Sequence, residues 1–205
     1  MYYQDIIAKN LIFNCSPTLL GAKPGNIFTL RNIKDSKLTP LVNYWKKILN
    51  PQMDLRVIKK TEDLILIFVY RVEFLHKVIE SEESKCFLLE NGYSCKNLNC
   101  VFNTLTYKLK NSDFPHEIGV LLGYPIEDVK EFISQKGKNY MACGNWKVYG
   151  NLKDAQEKFN QYESCRSTLK SLVDGGISLE RIVLLIKGDC YEKNCNCLLV
   201  GNRQH

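Results

Sequence analysis

The sequence predicts a mixed fold, α+β or α/β, with a mixed sheet of about five strands and helices on both faces. Three observations carry that expectation. The run Leu64–Tyr70 is apolar throughout and rich in β-formers, the pattern of a strand covered on both sides. Segments with helical periodicity flank it and supply the cover. Hydrophobic residues make up 45% and charged residues 24% of the 205 positions, a globular balance rather than a disordered one.

The elements follow in order. Residues 2–9 suit a short helix. Leu11-Ile12-Phe13-Asn14 is a brief apolar run and reads as a buried strand. Ser16-Pro17 supplies a cap and a proline at the first helical position. Gly21 and Lys23-Pro24-Gly25-Asn26 close that helix within a turn or so. Ile27–Leu30 reads as a second strand. Thr39-Pro40 opens a helix with apolar residues at Leu41, Tyr44, Trp45, Ile48 and Leu49, and Asn50-Pro51 ends it. Leu55 and Val57 alternate with Arg56, as in a half-exposed strand. The polar stretch 59–63 turns the chain into Leu64–Tyr70.

Residues 71–91 read as one or two helices closed by Asn91-Gly92. Leu98, Val101, Phe102, Leu105 and Leu109 mark another. Pro115 opens a short helix through Leu122, and Pro125 opens one through Ser134. Trp146 and Val148 alternate with Lys147 and Tyr149 in a late strand. Apolar residues from Leu152 to Val173 run at helical spacing, and Gly175-Gly176 stops that helix. Ser178 caps a last helix through Ile186. Residues 1–174 are expected to form one α/β-type domain. Residues 175–205 are expected to be a C-terminal helix and cysteine-containing tail, packed on it or trailing from it.

Net charge is +6, from 28 basic and 22 acidic residues, which suits an anionic small molecule or cofactor without requiring one. No apolar run approaches the roughly 20 residues that span a bilayer. The N-terminus lacks the basic-then-apolar pattern of a secretory signal. Nine cysteines without such a signal point to a reducing cytoplasm and free thiols. Neither a Walker A nor a G-x-G-x-x-G pattern is present, so the sequence specifies no cofactor.

Three segments share a family likeness: Cys15-Ser16-Pro17-Thr18-Leu19-Leu20-Gly21 with Lys23-Pro24, then PHEIGVLLGYPIEDVKEFI (115–133), then KGKNYMACGNWKVYG (136–150). The chain resembles an uncharacterised family of bacterial proteins, common in anaerobic Gram-positive species and known only as a domain of unknown function. The resemblance spans roughly residues 11–166. It implies a cytoplasmic bacterial protein and no established activity. Relatives often carry histidine where this chain has Asn14, so a His-Cys pair at that spot is not required.

Candidate chemistry sits in five places. Cys15, after an expected strand and ahead of a helix start, would feel the positive end of the peptide dipoles and act as a nucleophile or a metal thiolate. The bland alternative is a core thiol. His116, in a helical first turn, would be a base or ligand, and of the three histidines it is preferred over His76. Cys15 and His116 are expected to share a hollow at the strand ends. Lys138, Trp146 and Lys147, with Arg71 after the central strand, would hold an anion. Cys190, Cys195 and Cys197 would grip a metal or iron–sulfur cluster, although the paired C-x-x-C spacing is absent. The 115–134 corner has helix-turn-helix spacing, but Glu127, Asp128 and Glu131 on its second helix would repel phosphates, so nucleic acid is disfavoured. The favoured reading is a small-molecule or cofactor-handling protein with a thiol and an imidazole. The alternatives are a metal-binding protein and an interaction module.

Overall fold

The computed structural model describes residues 5–189. Helix α1 (Ile6–Leu19) opens the fold. Asp5 caps it, its carboxylate accepting from the amides of Ile7 and Ala8 at 2.9 and 3.1 Å. The 11–14 segment is therefore the middle of a helix and not a strand. Pro17, expected to start a helix, sits in the last turn of this one.

Strand β1 (Gly25–Arg31) follows, then α2 (Asp35–Leu49), β2 (Met53–Lys60) and β3 (Leu64–Arg71). The three strands form one antiparallel sheet in the order β1-β3-β2. A separate ribbon pairs β4 (Ala142–Cys143) with β5 (Lys147–Val148). The expected mixed sheet of about five strands is thus a sheet of three and a ribbon of two, with no parallel pair among the described residues. The polar turn 61–63 makes β2 and β3 a hairpin, so no crossover connection is needed between them.

The central strand is covered on both faces, as its unbroken apolar run requires. Ile65, Ile67 and Val69 join Phe28, Leu30, Met53 and Leu55 on one face. Against them pack α1, α2, the C-terminal half of α8 (Leu152–Asp174) and α9 (Leu179–Asp189). Leu66, Phe68 and Tyr70 face the other way, towards α3 (Val72–Glu80), α5 (Leu98–Asn111) and α6 (Ile118–Leu121). Between Val57 and Lys59 the β2 register shifts. Ile58 is the extra residue and packs on the second face, and beyond it Lys59 and Lys60 pair with Leu66 and Ile65.

Two further helices complete the frame: α4 (Glu82–Glu90) and α7 (Ile126–Ser134). The 115–122 segment holds only a four-residue helix behind a turn. No helix among the described residues is long and apolar enough to cross a membrane.

Candidate functional site

The two longest motif segments meet around Trp146. Its indole stacks on Tyr124 at 5.2 Å and meets the Phe159 ring edge-on at 4.5 Å. Its Nε1 donates to Asp128 Oδ2 at 2.6 Å. Asp128 Oδ1 accepts from the backbone amides of Tyr149 and Gly150, both at 2.8 Å. One buried carboxylate therefore ties the first turn of α7 to the ribbon through three donors. The sequence reading counted Asp128 only among the acids of this helix that would repel phosphates, and its buried, three-donor role is a finding of the structure.

Beside this joint lies a pocket of about 250 Å³. Phe114, Tyr124, Phe132 and Trp146 form aromatic walls, and His116, Cys143 and Lys147 also line it. The His116 ring lies 4.8 Å from Phe132 and 5.6 Å from Phe114. It sits in the turn ahead of α6 rather than inside a helix. Lys147 Nζ donates to Gly137 O at 2.7 Å and stands 4.6 Å from the centre of the Tyr140 ring. An ammonium has three protons to donate, so this bond leaves others for a ligand. Asp128 is the one carboxylate lining the pocket, and the three donors above occupy it.

The structure brings together His116, Trp146 and Lys147, and leaves Cys15, Arg71 and Lys138 outside their pocket. Cys15 lies inside α1, fully buried in the core against the sheet, and does not line this pocket. Burial pushes its thiol up, with Lys23 acting weakly against that, so no thiolate forms there at neutral pH. The expected hollow shared by Cys15 and His116 is therefore absent. Arg71 is buried, and its guanidinium donates to Thr18 O at 2.8 Å and to Leu19 O. It satisfies the open carbonyls of α1 and does not line this pocket. Lys138 is exposed and does not line the pocket. Cys190, Cys195 and Cys197 lie outside the described residues. Among those described, no group of three His, Cys, Asp or Glu side chains is placed to hold a metal ion.

Lys23 is a second residue that sequence reasoning left aside. It is 3% exposed, with its ammonium 4.7 Å from the centre of the Tyr124 ring and 5.7 Å from that of Tyr162. Burial lowers its pKa to about 8, aided by the charge of Arg166 and opposed by Cys15. It thus stands one ring behind the pocket wall. A larger groove, of about 760 Å³, shares Asp128 but is lined by the acids Glu127, Asp154 and Glu157.

The family model described as a protein of unknown function, DUF3793, matches residues 11–183. The chain belongs to this family. DUF3793 carries no activity in that description, and the matched region includes the segments that line the pocket. No curated protein and no solved structure matches the chain.

Proposed function

We infer that this DUF3793 chain binds a small aromatic anion, such as an aromatic carboxylate, in the pocket between α7 and the β4–β5 ribbon. One observation carries the reading: four aromatic side chains line the space, the pocket's carboxylate is already occupied, and Lys147 keeps donors to spare. Aromatic walls favour a flat apolar body through offset and edge-on contacts. A cation at the rim favours a carboxylate over a neutral or cationic group. The volume is below the ~300–1,000 Å³ typical of drug-sized ligands, so the guest is compact. A cytoplasmic setting, where the nine thiols stay reduced, belongs to the same proposal.

Salicylate, a fluorescent aromatic carboxylate, tests the proposal. Its binding to the intact chain is expected to saturate, and Lys147→Met is expected to weaken it by about tenfold or more. Benzylamine, aromatic but cationic, is expected to bind worse. Failure to saturate, or equal affinity for the two probes, refutes the reading. Native mass spectrometry of the protein as purified shows whether a compact acid already accompanies it.

A further inference from the structure

We propose that Cys143 is the reacting thiol of this pocket, adding to an aromatic anion that carries an α,β-unsaturated carbonyl. The proposal rests on the aromatic-anion reading above. Three observations place the sulfur. Cys143 and Lys147 are directly opposed in the antiparallel ribbon, so their side chains leave the same face about 5 Å apart at Cβ. Both line the pocket, together with His116. Gly144, the next residue, has no room for a β-carbon because the Phe159 ring fills that space, so the backbone beside Cys143 is held against α8. A thiol, an imidazole and an ammonium therefore line one aromatic pocket.

The addition needs no leaving group, oxidant or reductant. The sulfur attacks the β-carbon, forming a C–S bond as the C=C π bond breaks. His116 takes the thiol proton, and the α-carbon receives one in its place. Lys147 holds the anionic group of the guest, which sets the alkene beside the sulfur.

The probe is 4-acrylamidobenzoate, applied to the intact chain, with adducts located by peptide mass spectrometry. Cys86 is also exposed and serves as the internal control. Labelling of Cys143 is expected to saturate with probe concentration, to exceed that of Cys86 by about tenfold or more, and to be suppressed by salicylate. The neutral analogue N-phenylacrylamide is expected to lose the preference. His116→Asn is expected to lower the maximal rate without changing half-saturation, and an unchanged maximal rate overturns its role. Cys143→Ser is expected to form no adduct at residue 143 while the Cys86 adduct persists. Equal, non-saturating labelling of Cys143 and Cys86 while salicylate still binds sinks the thiol proposal alone. Absence of salicylate binding sinks the pocket reading beneath it.

Discussion

Lys23 shows what one misplaced charge does to a small protein. A lysine ordinarily titrates near 10.5, and burial brings this one down to about 8. Below pH 8 the folded and unfolded chains both hold its proton, and the folded chain bears the cost of the buried cation. Above pH 8 the folded chain releases the proton while the unfolded chain keeps it, so stability rises with pH. Between pH 8 and 10 the gain from this group is expected to be about 2 kcal/mol. Above about pH 9 the buried Cys15 thiol, pushed up by burial, acts in the opposite sense, and above pH 10 the hydroxyls of Tyr124 and Tyr162, pushed up to about 12, join it. Urea denaturation across pH 7–10 checks this. The native chain is expected to gain stability relative to Lys23→Met across this range, and parallel profiles for the two would assign the gain elsewhere.

At the scale of elements, Asp128 and Gly144 hold the ribbon in place. Asp128→Ala leaves the Trp146 indole and two backbone amides without their acceptor, and is expected to cost about 3 kcal/mol. Hydrogen exchange at residues 149 and 150 is expected to quicken with it; unchanged exchange there would mean that the ribbon is held by other contacts. Gly144→Ala drives a β-carbon into the Phe159 ring and is expected to cost about 2 kcal/mol, part of which Phe159→Leu recovers. Additive losses in the double variant would show that the two sites do not touch.

Most element positions were legible because their periodicity or punctuation was strong, as in Leu98–Leu109 and Leu152–Val173. The N-terminal region was not. Leu11-Ile12-Phe13 is too short for its apolar run to distinguish strand from helix. Ser16-Pro17 resembles a start, yet a proline in a last turn removes only one amide bond. His116, Trp146 and Lys147 fall within the quoted motifs, and the structure lines one pocket with them. Cys143 was hidden among nine cysteines, and only cross-strand register and pocket geometry set it apart.

At the scale of the molecule, α8 joins the two halves of the design. Ala155, Phe159 and Tyr162 pack on Trp146, while Leu169 and Val173 reach the core against the sheet. The pocket is therefore anchored to the main body by one continuous helix. The described residues form an antiparallel sheet and not the expected mixed one, because helices on both faces of an antiparallel sheet bury a strand equally well.

The bulge in β2 has a consequence for how the molecules behave in a crowd. A three-stranded sheet has two outer rims, and an even rim invites another chain to pair along it. On β2 the ladder is kinked between Val57 and Lys59, and Arg56, Lys59 and Lys60 stud the strand with positive charge. A rim that is both crooked and repulsive is a poor template for fibril growth, so this fold carries its own guard against polymerising along that side.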